Sequence, residues 1–180
     1  MTTAVPASTA PDPRRSRCRR WSPWENEKAL IRWRTHAGHH DVQHQGRFEV
    51  FDDYHLRVGE VLSDTDHDDL PQTRFDLTEI GDATAATVTE TPPGQGAPPC
   101  PPASHELTDT ELYSAIHTEG KRLLLASWRT SKAAGAWLAQ QPSGSRHRTI
   151  RIIRDYGMHQ RDEAPQYYPS VGRDSASTPV

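Results

Sequence analysis

Apolar positions recur along this chain with two different periods. From residue 27 they fall at Ala29, Leu30 and Trp33; from residue 131 they fall at Ala133, Ala134, Ala136, Trp137 and Leu138. Spacings of three and four put each set on one side of a helix. Asn26 and Thr130 stand just before these runs and are preferred N-cap types. Elsewhere the pattern suits strands. Residues 111–117 alternate, and residues 122–128 are nearly all apolar, which suits a central strand. The turn 118–121 between them has glycine at its third place, so the two runs read as a hairpin. Residues 148–154 read as a third strand after the helix, with 54–62 as its counterpart in the first half, and an earlier strand falls within 74–90. Strand, hairpin, helix and strand predict an α+β fold of the ferredoxin-like kind.

The two helical runs share more than a period. Trp24-Glu-Asn-Glu-Lys-Ala-Leu-Ile-Arg-Trp33 and Trp128-Arg-Thr-Ser-Lys-Ala-Ala-Gly-Ala-Trp137 each hold tryptophans nine apart, with Lys-Ala at the fourth and fifth places after the first. A serine stands upstream of each, at Ser22 and Ser127. The first tryptophan is expected to end a strand and the second to face a core from its helix. This predicts an internal repeat.

Composition limits the rest. The 180 residues are 33% hydrophobic, against roughly 45–50% for globular domains. The mean hydropathy is −0.83. The excess polarity lies in the ends and in one loop. No apolar run approaches the ~18 residues of a membrane span. A net charge of −3 and a pI near 6.3 argue against a nucleic-acid binder, which carries a basic face. The two cysteines, Cys18 and Cys100, exclude a disulfide scaffold, and a cytoplasmic thiol compartment is expected. The expected organisation is a disordered tail (1–20), a truncated first repeat (21–63), an acidic linker (64–72), a second repeat (73–156) and a C-terminal extension (157–180). The second repeat holds a proline-rich loop at 91–108, with prolines at 92, 93, 98, 99, 101 and 102. The Asp64, Asp66, Asp68 alternation lacks the glycine and glutamate of a calcium loop; Asp69 and Phe75 hold those places, and a solvated turn is expected.

Trp24, Ala29, Trp33, His39, Gln43, Gly46, Arg47 and Tyr54 stand in the order of a pattern known elsewhere. That stretch resembles the second helix and last strand of antibiotic biosynthesis monooxygenase domains, and residues 111–137 with 146–169 also resemble such a domain. The resemblance covers about 130 residues. It implies ferredoxin-like repeats packed as a dimeric α/β barrel, from two chains or two repeats, and hence a homodimer. It also implies oxygenation of an aromatic polyketide-like molecule by O2, with no metal, flavin or haem cofactor. Only 23 residues precede Trp24, so the first repeat is expected to lack its opening strand, helix and strand.

Such chemistry needs a base, hydrogen-bond donors and an apolar aromatic pocket that excludes water. The candidate catalytic residues are His39, Tyr156 and His117. The candidate substrate-binding residues are Trp33, Trp137, Trp24, Trp128 and Tyr113. Each tryptophan is equally a core residue by pattern. His36, His39, His40 and His44 crowd one helical stretch; His36 and His40, four apart, share a face that reads as solvated surface or, less simply, as half a metal site. No metal is expected. Haem-degrading relatives carry a proximal histidine ten residues after the helix tryptophan. Gln43 stands there, and His147, ten after Trp137, lies beyond Pro142 and Gly144 in a loop, so haem chemistry is disfavoured. The alternative to an enzyme is a dimerising accessory or ligand-binding member that keeps the barrel and has lost the reaction.

Overall fold

A computed structural model describes residues 2–5, 22–51, 53–67 and 70–165. Cys18, Asp68, Asp69 and the Tyr167-Tyr168-Pro169 run lie outside the described residues. The chain is α+β and forms two compact units, Met1–Gly59 with Arg154–Val180, and Glu60–Ile153. Among the described residues, no helix is long and apolar enough to cross a membrane.

In the first unit, β1 (Thr2–Val5) pairs antiparallel with β2 (Ser22–Trp24), Thr2 opposite Trp24. The tail reading therefore fails at Thr2–Val5. Backbone pairing, which needs little buried side-chain area, was invisible to an argument from composition. Helix α1 (Glu27–Arg34) starts where its cap requires: the Asn26 side chain accepts the Ala29 N–H at 2.9 Å. Thr35 closes it by donating its hydroxyl to the Ile31 carbonyl at 2.9 Å. Helix α2 (Ala37–Gln45) follows and runs into a π-helical segment, Gly46–Val50. His39, Gln43 and Arg47 recur every fourth residue and form its inward stripe, while Asp41, Val42, His44 and Gln45 are exposed. Strand β3 (His55–Asp64) then begins, and the last strand, β7 (Arg146–Gly157), ends beside its start. There Met158 N–H donates to the Tyr54 carbonyl at 3.0 Å. A Cβ at Gly157 would stand 2.8 Å from that carbonyl oxygen, so only glycine permits the approach.

In the second unit the strands lie in the order β3, β7, β4 (Ala85–Thr91), β6 (Arg122–Trp128), β5 (Leu107–Ser114). β4 pairs antiparallel with β6 and β7, and β5 with β6. The apolar run 122–128 is thus an interior strand, as its pattern implies. Helix α3 (Ser131–Leu138) begins at Thr130, whose side chain accepts the Ala133 N–H. Its Ala134 packs on Ala85, Ala126 and Trp128, with Trp137 and Leu107 at the margin. Three alanines let the helix come close, and Trp128 fills the space they leave. The indole N–H of Trp128 is satisfied by Thr87 Oγ1 at 3.0 Å.

Three expectations need correction here. β5 starts four residues early and stops at Ser114, so His117 does not end a strand but lies in the connection 115–121. Arg129 N–H bonds the Glu106 carbonyl at 2.8 Å and anchors the ladder inside the expected loop. Asp64 is no solvated turn residue: its side chain is wholly buried, with Arg146 at 2.7 Å and Arg148 at 3.1 Å. His36 is the N-cap of α2 in an extended conformation, so the helix expected to carry it begins one residue later, at Ala37.

Candidate functional site

The first unit gathers most of the chemistry. α1 carries Trp33 back against Trp24 at the end of β2, with ring centroids 5.1 Å apart and planes tilted by 40°. His39, one turn into α2, lies on the other indole contact, its ring centroid 3.7 Å from that of Trp33. Two buried polar atoms in this cluster, Trp24 Nε1 and His39 Nε2, have no hydrogen-bond partner among the described residues, and neither has Gln43 Oε1 one helical turn further along α2. Buried polar groups are nearly always paired, so a group of such atoms beside stacked rings marks a place for a bound molecule or for ordered water. The set is chemically varied. Trp24 offers a donor, Gln43 an acceptor, and the His39 nitrogen either, depending on tautomer. Burial, and then the nearby His36, hold the His39 imidazole below its ordinary pKa of 6.5, so it is neutral at pH 7.

One helical turn past Gln43, Arg47 is buried and donates from Nη1 to the Tyr54 hydroxyl at 2.5 Å. Arg161 Nη1 donates to the same oxygen at 3.0 Å. The Arg161 guanidinium also stands 6.0 Å over the ring of Tyr156. Tyr156 is 9% exposed; burial pushes its phenol up, against the pull of Arg34, Arg161 and Arg154. Nearby, Asp155 is fully buried between His55 and Arg57, whose Nε is 2.9 Å away. Burial alone would raise the Asp155 carboxyl, but the hydrogen bond from His55 and the charge of Arg57 outweigh it and hold it low.

Of the residues the sequence singles out, His39, Trp24, Trp33 and Tyr156 belong to this unit. Trp33 does not face a closed core: it is 42% exposed while stacked on two rings. Trp128, Trp137, Tyr113 and His117 belong to the second unit. There Trp128 and Trp137 lie 6.1 Å apart at a 35° tilt, with Trp137 Nε1 and Gln141 Oε1 buried and unpartnered. Tyr113 donates its hydroxyl to Glu111 on the same strand. His117 is exposed. Sequence pattern alone assigns no role to Arg161, Gln43, Arg47 or Tyr54. Four-residue spacing from His39 was a usable signal for Gln43 and Arg47. None existed for Arg161, which meets Tyr54 across 107 residues.

The chain is 33% identical over 162 residues to "Jasmonate monooxygenase ABM" of Pyricularia oryzae, across 81% of this chain and 73% of that protein. No family profile matches the chain, and no solved structure matches it.

Proposed function

The chain belongs to the antibiotic biosynthesis monooxygenase family, and from that premise we propose that it adds an oxygen atom from O2 to an aromatic polyketide-like small molecule without a bound cofactor. The observation that carries the reading is the group of unpartnered atoms, Trp24 Nε1, His39 Nε2 and Gln43 Oε1, set against stacked rings in the first unit. The relative's name supports monooxygenase chemistry, and the jasmonate in that name widens the set of molecules to test.

The chemistry limits the substrate. O2 carries four oxidising equivalents. A reactive CH2 that becomes C=O takes one oxygen atom and releases its two hydrogens with the other as water. That balance needs no external reductant, whereas a single hydroxylation needs two further electrons from elsewhere. An acidic CH2 flanked by aromatic rings or a carbonyl meets the condition. Neutral His39 takes its first proton, the Trp24 N–H donates to a substrate carbonyl oxygen, Gln43 Oε1 accepts from a substrate hydroxyl, and the indoles of Trp24 and Trp33 form the wall. The proposal includes ferredoxin-like repeats paired as a dimeric barrel. Light scattering is expected to give twice the 20.2 kDa of one chain, and a strict monomer counts against it.

The second reading, a non-catalytic ligand-binding member, is favoured by the exposure of Trp33, since water then reaches one wall of the site. An oxygen electrode separates the two. Purified protein is mixed with anthrone-type compounds and with jasmonate, aerobically, with and without reduced flavin. Uptake without flavin, lost in a folded Trp33→Ala variant, supports the enzyme. Uptake only with flavin removes the cofactor-free part, and none at all moves the chain to the binding role.

A further inference from the structure

Tyr54 precedes β3 directly, and its hydroxyl oxygen is the meeting point of two cations. Arg47 and Arg161 both donate to it, at 2.5 and 3.0 Å. A guanidinium cannot accept a hydrogen bond. Both contacts therefore use the lone pairs of the phenol, and its own hydrogen meets no acceptor among the described residues. The arrangement is held from both sides. Arg47 is 3% exposed. Arg161 also donates to the Gly157 carbonyl at 3.1 Å. Arg47 continues the stripe of His39 and Gln43, so the Tyr54 hydroxyl lies at the end of the row that bears the unpartnered atoms.

We propose that the Tyr54 hydroxyl is an oxyanion-binding donor that hydrogen-bonds the enolate or phenolate oxygen of the substrate, with Arg47 and Arg161 as positioning residues behind it. The proposal rests on the monooxygenase reading, which requires a deprotonated carbon acid. When the C–H proton passes to His39 Nε2, the electron pair of the broken bond moves through the conjugated system and ends on the carbonyl oxygen. That oxygen becomes negative only as the proton leaves. A donor fixed at its position therefore acts on the transition state more than on the bound substrate. Two guanidiniums anchored on the phenol oxygen aim the remaining O–H and add a positive field behind it. A staple between the helical segment and the residues after β7 would need the same two arginine contacts, but it would have no use for an unengaged hydroxyl hydrogen.

The test uses 4-nitrophenol, whose visible absorbance separates phenolate from phenol, and 4-nitroanisole, which cannot ionise. The full chain is titrated with each. The wild type is expected to prefer the phenolate and to lower the probe's apparent pKa on binding. Tyr54→Phe is expected to lose about tenfold or more in phenolate affinity with 4-nitroanisole unchanged. Arg161→Gln, which keeps the phenol, is expected to lose less. Circular dichroism and thermal melts verify that the variants are folded. Equal phenolate affinity in wild type and Tyr54→Phe, or a wild type that takes only the neutral form or neither, overturns the proposal. O2 is absent from these titrations. Phenolate preference without oxygen uptake therefore removes the monooxygenase reading and leaves the site. Oxygen uptake undiminished in Tyr54→Phe removes the site alone.

Discussion

At the scale of single residues, the site is built by restricting what neighbours can do. His39 is kept neutral by burial and by His36, so it is already a proton acceptor at pH 7. Its unpartnered nitrogen is set by the i, i+4 stripe, and that much could be read from spacing alone. Tyr54 could not be found that way. Its role depends on Arg161, brought to it by the turn after β7, and on Gly157, which ends that strand. Gly157 shows how tightly the turn is determined: an added Cβ meets the Tyr54 carbonyl oxygen, a backbone atom that cannot swing aside. Gly157→Ala should cost about 1–3 kcal/mol in urea unfolding, through forced backbone displacement. The same variant should weaken 4-nitrophenolate binding, because the Tyr54 and Arg161 positions move together. An unchanged urea midpoint would show that the chain relaxes around the added methyl and that the contact sets nothing.

At the scale of elements, local rules and long-range pairing divide the fold between them. Both capped helices were legible because a cap and a stripe lie within a dozen residues; α1 and α3 begin at the residues those signals mark. Asn26→Ala is expected to cost about 1 kcal/mol, the ordinary value of an N-cap, measured as a urea midpoint. Strand limits were less legible. β3 and β7 run past their apolar cores because arginines and carboxylates continue the pairing, and no periodicity reports that. Asp64 takes bonds from Arg146 and Arg148, Glu90 from Lys121 and Arg148, and Glu60 from Thr73, Arg74 and Arg151. Burial alone would raise all three carboxyls, but these partners hold each below its ordinary value of 3.8 or 4.5. A depressed folded pKa gives stability that is complete above the unfolded value and is lost as pH falls through the folded one. Urea midpoints should therefore fall steeply below about pH 4.5 through these carboxylates, after a smaller decline between about pH 7 and 5 from His39, whose lowered pKa lets the unfolded chain take the proton first. Asp64→Asn should be less stable at pH 7 by about 3 kcal/mol, since it leaves two arginines facing a neutral group, and its acid slope should be shallower. A variant with the wild-type slope would show that Asp64 does not govern the acid transition.

At the scale of the whole molecule, each unit holds one strand tryptophan stacked near one helix tryptophan, and the two pairs differ in a way that assigns them different work. Each pair joins the end of a strand to an N-capped eight-residue helix, and their tilts, 40° and 35°, are close. The difference between the pairs comes from what surrounds each. Trp137 borders the alanine-rich cluster around Trp128, whose indole N–H is already engaged by Thr87. Both pairs carry an unpartnered indole N–H, Trp24 Nε1 and Trp137 Nε1, so that does not separate them; Trp33 differs in being 42% exposed and in lying against a neutral histidine. A large ring removed from a packed margin leaves a cavity, whereas one removed from a half-exposed stack leaves mostly solvent. Trp137→Ala should thus lose about 2–3 kcal/mol in urea unfolding and keep kcat/KM for oxygen uptake within about threefold at temperatures where it is folded. Trp33→Ala should lose under about 1.5 kcal/mol yet lower kcat/KM at least about tenfold. The reverse pattern, with activity following Trp137 and stability following Trp33, would place the reaction in the second unit and remove the first from the chemistry.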